Sequence, residues 1–448
     1  MRGTQSPGSE ERPLRGKVLE RFEQALDRPA TDAERDLMLW LCPASAELRR
    51  LPAASALLGT PWGDVERAPG SEVGFLALEG GGSLAVAVDS RVHVDAASRV
   101  NLSQGVAATL SKLVAVGAQP QGLHMVVHCD VPEDERSQRG LRESIRSLSA
   151  HARERGVATL GAEVRFDSEY GDVVLVDCIA LGWRPDEDTR LARRVPGVGD
   201  ILVAAAGADL AGLRRDLVTS GLDCLALPTS SDVPLRAPIS ALGGLGLELA
   251  VAEPNSAPPD QILEQIRPDP TQSILFILPP HALTEVKSMG ETRGVGLAEL
   301  GRISKEAVIT VGSPSGARTV LPALAVREPD HVAAERTEPD DVDYGGDLAL
   351  ESLPEPEDYE DALRRMLRAP NLSSRRELYE RFDSFSGGST VLHPGVGAGK
   401  STFRIHGQGQ MVTVANSGNP RFTALDPYVG FGIAVCEGVR RLATSGAD

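Results

Sequence analysis

The most constraining stretch of this 448-residue chain is residues 84–120, LAVAVDSRVHVDAASRVNLSQGVAATLSKLVAVGAQP. Leu84–Val88 is a short apolar run with β-branched residues, which predicts a buried strand. Asp89, Ser90, Arg91 and His93 follow as a polar cluster at its C-terminal end. Leu102, Val106, Leu110, Leu113 and Val116 then recur at spacings of three and four, the mark of one helix face. Gly117-Ala118 supplies the left-handed stop. A polar strand tip that feeds a helix is where α/β proteins place ligands, and it is also how ordinary strand–helix connections look.

The chain's length supports roughly two to four domains of a globular protein. Hydrophobic residues make up 41% and charged residues 24%, but aromatics only 4%, so the cores must be built from Ala, Val and Leu. A net charge of −17 repels phosphate backbones and argues against nucleic-acid binding. No apolar run reaches about 18 residues, which argues against a membrane helix. Residues 1–20 lack an apolar targeting core, so a cytoplasmic location is expected. Cys42, Cys129, Cys178, Cys224 and Cys436 are odd in number and widely spaced, which favours neither a disulfide framework nor a thiolate zinc site.

In chain order, residues 1–15 read as a tail and 16–60 as a helical segment with an N-cap at Thr31 or Asp32 ahead of Glu34. Residues 61–190 read as an α+β domain. It carries a hairpin-like pair around Glu79–Ser83, a strand at His124–His128, a helix at Leu141–Arg155 and a strand at Val173–Leu181. Pro196-Gly197-Val198-Gly199-Asp200 reads as a domain boundary, and residues 191–326 alternate helices and strands, including Ile201–Ala205, Ile274–Leu278 and Ala307–Val311, as an α/β unit does. Residues 327–361 are rich in Asp, Glu and Pro and read as an acidic linker. In 362–448, helices at Ala362–Arg368 and Arg375–Phe382 precede a turn-rich, strand-like region and a final helix, Gly430–Ala443. That ending repeats the opening: setting Gly446-Ala447 on Gly117-Ala118 places Ala434 on Gly105 and Arg421 on Val92.

Three stretches resemble the synthetase subunit of formylglycinamide ribonucleotide amidotransferase (phosphoribosylformylglycinamidine synthase). They are Gly156–Gly182, GVATLGAEVRFDSEYGDVVLVDCIALG; Pro370–Gly388, PNLSSRRELYERFDSFSGG; and Gly418–Gly446, which opens GNPRFTALDPYVG. The first is similar to G-V-P-T-x-G-G-E-V-x-F-D, the third to G-N-x-R-x-x-x-L-D-P-Y-x-G. The resemblance implies an aminoimidazole ribonucleotide synthetase-like two-domain unit, α+β then α/β, followed by a partial second copy. It also implies purine biosynthesis, with ATP and magnesium as cofactors and ammonia supplied by a glutaminase subunit. Ending within the second copy would expose a sheet edge, so the expectation is a complementary chain, a homo-oligomer that covers the edge, or a sequence that is a fragment.

The family's site motifs are heavily substituted. Its W-S-E-H-C histidine falls on Pro43, after Trp40, Leu41 and Cys42. Its K-I-E-S-H-N-H-P strand falls on Ala87–Val94. By that resemblance Asp89 is the metal carboxylate, Ser90 and His93 are substrate contacts with His93 as the catalytic candidate, and Arg91 stands where the family has a base. Arginine stays protonated, so it cannot be one. The family's magnesium aspartate falls on Lys112, which could neutralise phosphate directly alongside Arg91 but cannot template a metal. The glycine-rich phosphate loop has become Ala208–Arg214. The Q-D-L-G segment falls roughly on Leu225–Ser231 and S-E-S-Q-E-R-M on Pro268–Ile274, where ligand residues are replaced too. Asp383, Asn419, Arg421 and Asp426 match second-copy motifs, with turn-bracing by Asx-type bonds and an Arg–Asp pair as their alternative role.

Two other patterns are decoys. HPGVGAGKST (393–402) lacks the glycine five before Gly399 that a P-loop needs, and reads as a hairpin with an exposed Lys400. His124 and His128 lie about 13 Å apart along a strand and read as two ordinary histidines. Three functions remain: a remodelled ATP-dependent ligase, a non-catalytic scaffold or regulatory homologue of the same fold, or a different anion-activating reaction.

Overall fold

The computed structural model describes residues 23, 28–32, 34–35, 65–67, 73–94, 103–132, 135–171, 173–186, 191, 194–229, 235–250, 273–312, 318–323, 354–373, 390–392, 400–405 and 409–446. The chain divides into two compact units, Met1–Val88 with Ala107–Pro120 and Leu181–Val332, and Asp89–Val106 with Gln121–Ala180 and Ala333–Asp448. The Trp40–Pro43 motif, the helix expected at 375–382, Asp383 and most of the acidic linker lie outside the described residues, as do the side chains of Arg91 and His93.

The first sheet orders its strands β1-β2-β3-β6-β4-β5: β1 Val65–Arg67, β2 Val73–Ala77, β3 Ser83–Val94, β4 Gln119–Cys129, β5 Ala158–Phe166 and β6 Val173–Arg184. β2 and β3 form the expected antiparallel hairpin, Val73 opposite Ala87. Gly81 and Gly82 at its turn have φ of 90° and 75°, a region L side chains avoid. Helix α1 (Ser103–Ala115) follows β3. It ends where expected: Gly117 has φ 85° and the Ala118 amide donates to Leu113 O at 2.9 Å. β4 and β5 run parallel from Gly122–Ala158 to Cys129–Phe166, so they need a long crossover. The 20-residue helix α2 (Glu135–Glu154) provides it, beginning six residues ahead of the expected Leu141 because its first turns are polar.

One expectation changes. The strand read as Leu84–Val88 continues to Val94, so Asp89–His93 lie within β3 rather than beyond its end. The alternation V-D-S-R-V-H-V itself suits a strand, and hydrophobicity alone stops at the first charge. Ahead of these elements Thr31, not Asp32, makes the N-cap: its amide donates to Glu34 Oε2 at 2.8 Å and Glu34 N donates to Thr31 Oγ1 at 3.3 Å, a capping box.

The second sheet has the order β13-β12-β9-β11-β7-β10-β8, from β7 Ile201–Gly207, β8 Leu225–Pro228, β9 Gly246–Ala250, β10 Ser273–Leu278, β11 Val295–Ser304, β12 Val308–Gly312 and β13 Arg318–Pro322. Successive side chains of β7 and β10 enter different cores. Leu202, Leu275 and Ile277 join Leu225, Leu247 and Ile309 on one face. Ile201, Val203, Ile274 and Phe276 join Leu213, Leu217 and Val286 on the other. A sheet covered on both faces needs continuous apolar strands, which is why SILFIL shows no alternation. Leu213 and Leu217 belong to helix α3 (Leu210–Ser220) and Val286 to α5 (Leu283–Thr292), while the first core includes Ala237 and Ile239 of α4 (Arg236–Ala241).

After the linker come α6 (Tyr359–Arg368) and a three-stranded antiparallel sheet β14-β15-β16, made of Thr390–Leu392, Lys400–Arg404 and Met411–Ala415. Helices α7 (Pro420–Leu425) and α8 (Pro427–Ala443) follow. The order of three antiparallel strands and then a helix reproduces β1-β2-β3-α1, in line with the internal repeat. Lys400 differs from expectation: it opens β15 and is buried, its Nζ 2.5 Å from Thr444 Oγ1. Among the described residues no helix is long and apolar enough to cross a membrane.

Candidate functional site

Lys112 lies on α1 as the periodicity requires, but its side chain turns inward. It is 2% exposed, and its Nζ donates to the backbone carbonyl of Val88 at 2.9 Å. Val88 immediately precedes Asp89, itself 5% exposed. The amine at the expected magnesium-ligand position is therefore held against the backbone of β3. Asp89 and Ser90 are neighbours in an extended strand, so their side chains leave opposite faces and do not converge on one ligand. Just beyond α1, Arg214 is buried with its Nε donating to Ala115 O at 3.1 Å, and its guanidinium occupies the space that a side chain at Gly117 would need.

The loop Ala208–Arg214, expected from the resemblance to correspond to a phosphate cradle, is organised around a carboxylate. Asp209 caps α3, accepting from Gly212 N at 2.9 Å. Arg293 spans Asp209 Oδ2 at 3.1 Å and both oxygens of Asp216 at 2.8 Å. The Arg293 guanidinium holds Asp216 below its ordinary range. A helix N-terminus offers amides and a positive dipole end to an anion. Here the chain's own aspartate takes that place.

A second set of polar residues gathers at the end of β5, where Glu163 and Arg165 alternate along the strand and Asp167 follows just beyond it. Arg165 forms a fork onto Glu163, Nε to Oε1 at 3.0 Å and Nη2 to Oε2 at 3.2 Å, and donates Nη1 to Gly418 O at 2.6 Å. Asn416 Nδ2 adds a bond to Glu163 Oε2 at 2.8 Å. Burial alone would raise the Glu163 pKa, but the Arg165 hydrogen bond, with the charges of Arg165, His124 and Arg441, carries it below the ordinary value. Both carboxylate oxygens are already bonded to donors, so Glu163 is poorly placed as a base or metal ligand. Asn371, from the PNLSS motif, pairs with both peptide groups of Phe166, accepting from N at 3.0 Å and donating to O at 2.6 Å. Arg421 donates to Asp167 Oδ2 at 3.1 Å. Asn419 caps α7 through Arg421 N, and Asp426 caps α8 through Tyr428 N and Val429 N, at 2.9–3.0 Å.

Of the residues singled out in the sequence, Asn419 and Asp426 thus bond backbone amides at helix starts, and Arg421 pairs with Asp167. Sequence reasoning missed Arg165, Asn371 and Asn416 as participants. The E-x-R-x-D alternation was the available signal for Arg165. The two histidines do not meet a common ligand: His128 Nε2 lies 3.3 Å from Asp177, whereas both buried ring nitrogens of His124 lack a hydrogen-bond partner among the described residues. Burial pushes the His124 pKa down against the pull of Glu163. No group of three metal-ligating side chains occurs among the described residues.

Comparison with known proteins agrees with this architecture. Residues 70–184 match the family model described as AIR synthase related protein, N-terminal domain. The chain is 24% identical to phosphoribosylformylglycinamidine synthase subunit PurL of Thermomicrobium roseum, covering 90% of this chain and 59% of that protein. It is 27% identical to the Pyrobaculum aerophilum subunit, covering 96% and 66%. It therefore spans about six-tenths of the length of these relatives. Among solved structures, Thermotoga maritima PurL complexed with ADP superposes with a TM-score of 0.68 at 19% identity, over 95% of this chain and 70% of that one. The same protein complexed with ATP gives 0.67 at 20% identity.

Proposed function

Since this chain is a PurL-like protein of the AIR synthase superfamily, we propose that it is a non-catalytic homologue that keeps the synthetase fold without its magnesium–ATP chemistry. The observation that carries this reading is Lys112. A metal-assisted phosphoryl transfer needs carboxylates to hold the ion that neutralises the triphosphate. A buried lysine bonded to the Val88 carbonyl supplies a cation donor where an anionic ligand is required. The residues present do not fit magnesium, and no reaction step is derived through it. The Asp209 cap on α3 supports the same reading, because it places negative charge where a phosphate would go.

On this reading the protein acts as a scaffold or regulatory subunit of a cytoplasmic purine-biosynthetic assembly, and a glutaminase chain is its first candidate partner. Isothermal calorimetry with ATP, with and without magnesium, tests it, together with an assay for amidine formation from formylglycinamide ribonucleotide and ammonia. No magnesium-dependent ATP binding and no amidine are expected. Magnesium-dependent binding at micromolar affinity overturns the proposal.

A further inference from the structure

Strand β5 is the edge of the first sheet, and β15 with the turn after β16 docks on it. Ser401 Oγ donates to Leu160 O, Asn416 Nδ2 to Glu163 Oε2 at 2.8 Å, and Arg165 Nη1 to Gly418 O at 2.6 Å. Glu163 is opposite Val126 in the β4–β5 ladder, so it leaves the same face of the sheet as His124, two residues earlier on β4. His124 therefore belongs to the face that carries the docked segment. Both its ring nitrogens are buried without a hydrogen-bond partner among the described residues. A neutral imidazole has one N–H donor to leave unmet, whereas an imidazolium has two and a charge as well.

The surrounding groups do not meet that need. Glu163 is the carboxylate whose charge acts on His124, but its oxygens accept from Arg165 and Asn416 instead. Arg165 is itself a cation, as is Arg441 of α8, which bonds Glu437. On the neighbouring strands, His128 of β4 has Asp177 of β6 at 3.3 Å, and Lys400 of β15 is turned to Thr444. A protonated His124 must either draw Glu163 off Asn416 and Arg165 or admit water to the seam. Both undo the docking.

We propose that His124 is a proton-operated latch, which holds β15 and β16 on β5 while its imidazole is neutral and releases them when it takes up a proton. Burial lowers the His124 pKa from 6.5 against the pull of Glu163, so the docked state excludes a proton that the open state accepts. Docking is at full strength above pH 6.5 and weakens as the pH falls below it. Glu163, held below its ordinary 4.5, keeps its charge through that range.

The test is hydrogen–deuterium exchange of the full chain between pH 7.5 and 5, corrected for the intrinsic pH dependence of amide exchange. Peptides covering 158–166, 400–404 and 411–415 should lose protection below pH 6.5, by a factor approaching about tenfold per pH unit. Peptides covering 201–207 and 273–278 of the second sheet should keep theirs. His124→Leu, and equally His124→Gln, removes the titrating group and should abolish the change. His124→Arg, charged at every pH, should leave the same peptides unprotected at pH 7.5 with the second sheet intact. Protection that stays constant in the wild type from pH 7.5 to 5, that falls equally in the leucine and glutamine variants, or that is lost from both sheets together overturns the proposal.

Discussion

Lys112→Met separates a structural amine from an anion-binding one. Methionine keeps an unbranched stem of similar length, so the packing of this 2%-exposed side chain is largely retained. What is lost includes the 2.9 Å bond to the Val88 carbonyl. A hydrogen bond from a charged donor contributes about 1.5–3 kcal/mol, and a buried carbonyl left without its donor costs about 1–3 kcal/mol by the same reckoning. Removing a buried charge offsets part of that loss. The net expectation is a destabilisation of about 1–2 kcal/mol, read as a lower urea midpoint with an unchanged slope for the transition involving β3 and α1. Binding of ATP or inorganic phosphate should not change. Unaltered stability combined with lost anion binding would refute the reasoning, because it would make Lys112 an anion clamp. Lys112→Asp provides a second arm. It buries a carboxylate and removes the donor to the Val88 carbonyl, and should cost more than about 3 kcal/mol; recovery of stability in millimolar magnesium would show that a metal position survives.

Three further outcomes follow from other parts of the molecule. Gly117→Ala forces a side chain into φ 85° and against the Arg214 guanidinium, and should cost about 1–3 kcal/mol in thermal or urea unfolding. Arg28, with Thr31, holds the Glu34 carboxyl at about 2, below its ordinary 4.5, so its stabilising contribution is full above 4.5 and is lost as pH falls towards 2; Glu34→Gln should flatten that part of a melting-temperature profile. Burial pushes the Cys224 thiol up to about 12, and Cys129 and Cys178 are buried as well, so Cys436 should react with maleimide before any of these three in the native protein, as peptide mass mapping would show.

Much of the fold was legible because it depends on local pattern. The spacing of Leu102 through Val116 identified α1, and Gly117 its stop, because a helix face and a left-handed terminus are properties of a few consecutive residues. SILFIL was readable as a buried strand for the same reason. The end of β3 was misjudged because its last turns of chain alternate polar and apolar residues. Lys400 was read as exposed because a charge beside glycines usually is; a bond to Thr444, 44 positions away, reverses that.

The site divides along the same line. Substitution at the ligand positions was visible residue by residue, since a lysine or a proline differs in chemistry from an aspartate or a histidine wherever it sits. What the replacements do instead was not visible. Tertiary structure alone decided that Lys112 bonds the Val88 carbonyl, that Asp209 and Asp216 share Arg293, and that Glu163 is occupied by Arg165 and Asn416. The sequence by itself determined the identity of each group and the element that carries it, because those follow from covalent chemistry and short-range periodicity. Partner choice belongs to the three-dimensional structure, because a hydrogen bond depends on two groups being brought within about 3 Å, and residues such as Arg165 and Gly418 meet only when the chain has folded.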